Sequence, residues 1–327
     1  MLRYVLTALI ATSLIDAPAA LAQTFASGGR TVDTVNQDAP SPFPSKRHSL
    51  GYGRLVTNDV IGDGKDRWRT GSVTMSRAWG YEWTGTAPSR LGELLETRAQ
   101  GQVIAPANLG KVDLTDRPYA GVLTLGLHTY ASNYGYDYSL GLDVAIIGPQ
   151  TRLDQLQKGL HKLFGAPTTS DAVLALQIPN TFRPTFVGEI GRRFEIGPTL
   201  DIRPFAEVRA GDETLARVGA DISFGTIGRR ELLSRESITG QRYRVIYDSA
   251  PSISFVVGGD MAYVSDSVYL PEDRGYQLTD RRDRLRAGVH WQGENASAFY
   301  GVTYLSEEFT AQSAGQVVGS VRVKLRF

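Results

Sequence analysis

His161 is the residue of this chain best suited to acid–base work. Around it Leu153, Leu156, Leu160 and Leu163/Phe164 recur at three- to four-residue spacing, and Gly165 ends the run. That pattern predicts a helix near residues 150–164. Gln157 falls one turn earlier on the same side. An imidazole titrates near neutrality, so it can take a proton from water held beside it. The other histidines carry less. His48 stands beside Lys46 and Arg47 and reads as solvated, while His128 and His290 fall within predicted strands. A second constellation is rich in oxygen: Asn58-Asp59, then Gly62, Asp63, Gly64 and Asp66-Arg67. These are turn residues. They are also the donors that a hard cation such as calcium, or a polar substrate, requires. The spacing is not that of an EF-hand, and composition leaves both readings open.

Thr70-Gly71-Ser72 opens one predicted strand, and Thr115-Asp116-Arg117-Pro118-Tyr119-Ala120-Gly121 opens another. Lys111 sits in the loop before the latter, an ordinary place for a solvated lysine. There is no cysteine, no G-x-S-x-G elbow, no metalloprotease zinc signature and no phosphate-binding loop. A hydrolase built from this set would activate water with a histidine.

The elements that must position these residues are strands. Val321, Val323, Leu325 and Phe327 alternate with Arg322, Lys324 and Arg326 to the last residue. A two-residue period of this kind puts apolar groups on one face and cations on the other. Leu140, Leu142, Val144 and Ile146 alternate in the same way, as do Val218, Ala220, Ile222 and Phe224, and Leu285, Ala287, Val289 and Trp291. Twelve such stretches are predicted, near residues 49–58, 69–82, 91–101, 119–131, 136–147, 184–196, 200–210, 215–225, 252–265, 281–292, 296–306 and 316–327. The fold expected is all-β: a closed antiparallel transmembrane barrel of about 12 strands with one short helix inserted near residues 150–164. Leu94-Leu95 breaks the alternation of the third stretch, and Pro204 removes a ladder donor from the seventh. Tight turns at 197–199 and 292–295 contrast with longer charged segments at 226–251 and 266–283, the rhythm of short periplasmic turns and long outside loops.

Residues 1–22 read as a signal peptide, with Arg3, an apolar run from Val5 to Ile15, and Ala20-Leu21-Ala22 as the cleavage site. Residues 23–47 read as a flexible leader and 48–327 as the barrel. With 35 basic and 34 acidic residues and a net charge of +1, nothing points to nucleic acid as a partner. The 35 glycines and 15 tyrosines suit curved strands and membrane interfaces.

Taken in order, Asn58-Asp59, Asp66-Arg67-x-x-Thr70-Gly71, Asp116 to Gly121, Gly148-Pro149 with Gln157-x-x-x-His161, and the terminal Phe327 resemble the outer-membrane lipid A 3-O-deacylases. The resemblance implies a twelve-stranded barrel in the outer membrane of a Gram-negative cell. It also implies calcium-dependent hydrolysis of the 3′ acyl ester of lipid A. It casts His161 as the general base, Asn58, Asp59 and Thr70 as site residues, and Asp59 as a calcium ligand. Lys111 becomes a contact to a lipid A phosphate, with Gln157 in support. The partners it implies are lipopolysaccharide and the lipids of the outer membrane, met by a monomer. This chain departs from the family pattern at Trp68-Arg69-Thr70-Gly71-Ser72 and between Pro167 and Pro179. There a tryptophan is missing, Gln177 and Asn180 remain, and Pro167 stands where an acidic residue follows the histidine. The rival expectations are a non-catalytic structural or pore-type barrel of the same family and a soluble β-sandwich.

Overall fold

A computed structural model describes residues 46–248 and 250–325. The expected signal peptide, most of the leader, and Arg326 and Phe327 lie outside the described residues. Alternation sorts each strand's side chains onto two faces, and the two faces meet different media. On β5 (Tyr136–Ile147), Leu140, Leu142 and Val144 are exposed while Asp143 and Ala145 are buried. On β13 (Arg281–Gln292), Leu285 is 63% and Trp291 46% exposed, while Arg284, Arg286 and His290 are buried. Apolar side chains outside and charged ones inside invert the arrangement of a water-soluble core and match a wall standing in lipid. No described helix is long and apolar enough to cross a membrane, so the crossing elements are strands.

Twelve long strands form the wall. Besides β5 and β13 they are β1 (His48–Asn58), β2 (Trp68–Gly80), β3 (Leu94–Ala105), β4 (Ala120–Asn133), β6 (Thr181–Gly191), β8 (Leu200–Ala210), β9 (Glu213–Phe224), β12 (Ser252–Ser267), β14 (Ala296–Leu305) and β15 (Gln316–Leu325). Neighbours pair antiparallel in the order β6-β5-β4-β3-β2-β1-β15-β14-β13-β12-β9-β8, and β8 pairs back to β6 to close the cylinder. The first and last wall strands meet through Val56↔Val321, Thr57↔Ser320 and Asn58↔Gly319. The hydroxyls of Thr57 and Ser320 bond across this seam at 2.9 Å.

Three local expectations need correction. The third strand begins at Leu94 rather than near 91, because Gly92, at φ 86°, belongs to the turn before it. The sixth stretch ends at Gly191, and the two-residue β7 (Phe194–Glu195) follows it. The ladder lapses between Gly191↔Phe205 and Phe194↔Ile202, which is where Pro204 lies, so the missing donor falls at a gap. The inserted segment carries a one-turn helix, Asp171–Leu174, besides the helix Leu153–Phe164.

The largest correction concerns residues 226–251. They do not form an outside loop. They join β9 to β12 at the end of the barrel that carries His48 and Leu325, here called the turn end. From there they fold into the lumen as a hairpin of β10 (Leu232–Arg235) and β11 (Arg242–Ile246). Leu232, Tyr243, Val245 and Ile246 pack with the inward residues Leu55, Ala78, Leu94, Tyr130 and Phe299. Gly51 and Gly53 on β1 make room for it: a Cβ there would stand 2.3 Å from the Val245 carbonyl oxygen and 2.5 Å from that of Arg244. At its tip, Gln241 donates to the carbonyls of Ala287 and Val302, both at 3.2 Å. Polar, charged composition reads as a solvent loop, but a polar lumen asks for the same composition. Replacing residues 229–248 with a short Gly-Ser linker should turn a silent barrel into a conducting one. Planar-bilayer recording of both proteins checks this, and steady conductance by the intact chain would refute the plug.

Candidate active site

The opposite rim gathers the loops 59–67, 106–119, 148–180, 268–280 and 306–315. Here the Asp116–Gly121 segment acts as a dock. Asp116 accepts the indole N–H of Trp68 at 3.1 Å and the backbone N–H of Ala107 at 2.5 Å. Trp68 is buried at φ 54°, a left-handed backbone that costs a non-glycine residue about 1–2 kcal/mol. Its indole bond, and the Arg67 guanidinium 4.0 Å over its ring, hold it there. Trp68 thus ties the segment 59–67 to the segment 106–119. Tyr119 is fully buried and donates its hydroxyl to Gln157 Oε1 at 3.0 Å. Its carbonyl accepts from Ile178 N at 2.9 Å. At Gly121 a Cβ would sit 2.5 Å from Thr151 Oγ1 and 3.0 Å from the Leu153 Cβ, so only glycine lets the helical segment approach.

The helix Leu153–Phe164 follows a 3-10 turn at Pro149–Thr151. Asp154 lies in its first turn, His161 and Lys162 in its last, and Gly165 caps it at φ 69°. Those charges suit the helix dipole at both ends. Gln157 and His161 face the rim, whereas Leu156, Leu160 and Leu163 stay 58%, 42% and 74% exposed. The leucine stripe therefore faces away from the protein.

His161 is held at one ring nitrogen and faces a carboxylate with the other. Nδ1 lies 2.5 Å from the Pro167 carbonyl oxygen and donates to it. Nε2 lies 3.3 Å from Asp66 Oδ2. Burial raises the Asp66 carboxyl above its ordinary value, and the His161 charge works against that rise. Asp66 in turn lies close enough to Asp59 to act on its charge. Asp59 is fully buried. Its N–H donates to the Thr70 carbonyl at 3.1 Å, and its Oδ2 accepts from Arg67 N at 2.8 Å. Its Oδ1 is buried with no hydrogen-bond partner among the described residues. Burial pushes this carboxyl up to about 9, against the Arg67 N–H bond and with the help of Asp66 and Asp63.

A buried carboxylate oxygen with nothing bonded to it fits a hard cation. Among the described residues no three His, Cys, Asp or Glu side chains converge on one point. A cation here would therefore be held by Asp59, with backbone oxygens and water completing its shell. Both readings of the Asn58-Asp59 corner apply together. Asn58 Oδ1 accepts from Val60 N at 2.8 Å as a turn residue does, while Asp59 Oδ1 stays open.

The predicted residues do not all meet. Asp59 and Thr70 adjoin through backbone, Gln157 joins the Tyr119 dock, and His161 reaches the Asp59 corner through Asp66. Lys111 stays exposed on its loop, where its backbone N–H bonds Asn108 Oδ1 at 3.0 Å. Sequence reasoning placed Asp66 in the oxygen-rich corner but not beside His161, and gave Tyr119 no part in the site. Asp66 sits among turn residues that disguise it, and only its place four residues before Thr70 hinted otherwise.

The family model described as "Outer membrane protein LpxR" matches residues 6–327. Among solved structures, LpxR from Salmonella typhimurium is similar with a TM-score of 0.71 and 16% identity, covering 85% of this chain and 100% of that one. A KdgM porin (6% identity, TM-score 0.37, 85% and 98% covered) and a NanC porin (5%, 0.38, 85% and 100%) resemble it too weakly to carry an argument. No curated protein sequence matches.

Beneath the dock lies a ladder of charge. Glu308 takes Arg69 Nε at 2.7 Å and Arg117 Nη1 at 2.6 Å, and Glu213 takes Arg282 Nη1 at 2.8 Å. Arg117 is 1% exposed. Removing Glu308 strands the buried Arg117 guanidinium and leaves Arg69 with only Glu213 at 3.4 Å, a loss of roughly 3–5 kcal/mol for a broken buried pair. Urea titration of refolded Glu308→Ala should show that loss, and a change under 1 kcal/mol would mean the ladder is idle.

Proposed function

The chain belongs to the LpxR family of outer-membrane proteins, and on that premise we propose that it hydrolyses the 3′-O-linked acyl ester of lipid A in the outer leaflet. The observation that carries the reading is the setting of His161: a ring pinned by a backbone carbonyl at one nitrogen, facing a carboxylate at the other, beside a buried carboxylate with a free oxygen. With Nδ1–H committed to Pro167, the Nε2 lone pair is the one left to receive a proton. Water between Nε2 and the ester would lose its proton to that lone pair as its oxygen adds to the acyl carbon. The Asp66 carboxylate favours the imidazolium that results. The same proton then passes to the sugar oxygen as the acyl C–O bond breaks, leaving a sugar hydroxyl and a fatty acid.

Asp59 would hold the calcium ion, and the ion when bound supplies positive charge that polarises the ester carbonyl. Gln157 keeps its Oε1 on Tyr119 and leaves its amide N–H groups to orient water or substrate. The exposed leucines of the helix lie where acyl chains would be, so the rim can take a substrate from the leaflet without lifting it into water. Pro167 occupies the place of the family's acidic residue, but its carbonyl still orients the ring. The barrel's filled lumen argues against the pore-type alternative, and a structural barrel without activity is the remaining rival.

Mass spectrometry of lipid A treated with protein refolded in detergent tests the reading. Loss of the 3′ acyl chain is expected with calcium and not with a chelator. His161→Ala should lose about 10²-fold or more of the rate while its heat-modifiable migration stays intact. An unchanged lipid A profile with calcium present would favour the structural barrel. In the same assay, Asp66→Asn should depress kcat by about tenfold or more with little change in KM, since that residue acts through the ring. A variant with full kcat would remove Asp66 from the scheme.

A further inference from the structure

A cavity of about 300 Å³ lies between the plug and the wall at the turn end, at the opposite end from His161. Seven arginines and five carboxylates line it, and the arginines include Arg193, Arg203, Arg235 and Arg242. Elsewhere in the lumen most buried guanidiniums meet carboxylates, as Arg284 and Arg286 meet Asp260. Here the account does not balance. Arg203 Nη1 and Arg235 Nε both bind Glu189, each at 2.7 Å, and Arg203 Nε faces Asp137 Oδ2 at 3.7 Å. Arg235 also reaches Asp221 at 2.9 Å, but that carboxylate is shared with Arg286. Arg193 gives its donors to the carbonyls of Gly228 and Arg229 at 2.7 and 3.0 Å. The side chain of Arg242, on the plug strand β11, makes no hydrogen bond or ion pair among the described residues. Asp221 and Glu189 lie near enough to act on its charge, but Arg203, Arg235 and Arg193 oppose it.

We propose that this cavity is a binding site for a phosphate-type oxyanion, with Arg242 as its central ligand and Arg193 and Arg203 beside it. An unmatched charge out of bulk water is costly and draws a counter-ion. A guanidinium's planar fork matches the oxygens of phosphate better than a spherical halide. At roughly 30 Å³ per water, the space holds about ten waters, which is room for a phosphate-bearing solute. The connecting segments that border the cavity, among them 81–93, 134–135 and 192–199, lie at the turn end, so the ligand is a free solute entering there and not a lipid headgroup from the opposite rim. The plug would then serve as a ligand-holding element, and a bound anion would tie it to β6 and β8.

Isothermal titration of the full-length protein in non-ionic detergent at low salt tests this, with inorganic phosphate, pyrophosphate, chloride and dihexanoyl phosphatidic acid as probes. Phosphate and pyrophosphate should bind and chloride should not. Arg242→Met should weaken phosphate tenfold or more, and Arg193→Met by a smaller factor, while lipid A deacylation is unchanged in both. No phosphate binding by the wild type, or equal affinity in Arg242→Met, overturns the proposal. Binding of the phosphatidic acid alone overturns the free-solute assignment. If Arg242→Met fails to show heat-modifiable folding, Arg193→Met decides, and unchanged affinity there counts against the site.

Discussion

A backbone that crosses hydrocarbon must satisfy every N–H and C=O within the protein. That constraint underlies the rest of this structure. It forces the sheet to close, and closure joins the first strand to the last and the sixth to the eighth. It also decides which loops share a rim. Asp59 follows the first strand, Tyr119 precedes the fourth, and the helix with His161 follows the fifth. They are far apart in sequence and become neighbours because a cylinder brings alternate connections to one end. Helix packing alone would not place an imidazole there, since the helix turns its leucines away from the protein. It is held by polar contacts to Gln157 and His161 and by the small residue at Gly121.

The lumen obeys a second form of the same rule. Side chains that point inward cannot meet lipid, and the plug takes up much of the space around them. Most of the charge there is matched. Arg69, Arg117 and Arg282 share Glu308 and Glu213, and Arg217, Arg284 and Arg286 share Asp260. These pairs add specificity to the interior: each fixes a strand register or a loop position that apolar packing would leave looser. The pairing of Arg98 with Glu96, which also accepts from Tyr130 and Ser234, fixes the plug against β3 and β4 in this way.

Much of the wall was legible in the sequence, because a two-residue period survives whichever medium each face meets. All twelve stretches became strands, and even Pro204 made sense once the ladder lapsed beside it. What was not legible depended on direction. Residues 226–251 have the polarity of a loop, and polarity does not say whether a segment turns out to water or in to a charged lumen. The leucines of the helix showed an apolar face without showing that it points away from the protein. At the rim, His161, Asp59 and Gln157 stood out by type and order. Asp66 did not, because an aspartate in a glycine-rich turn carries no mark of the histidine opposite it. Lys111 was named by resemblance alone, and its exposed position gives no contact to the corner.

The hairpin inside the barrel touches β1 and β2 on one side and β13 and β14 on the other. Those strands lie on both sides of the seam. The plug thus grips both sides of the joint between β1 and β15 from within. A pull that parts Thr57 from Ser320 must also tear the hairpin from one of the two flanks it holds together.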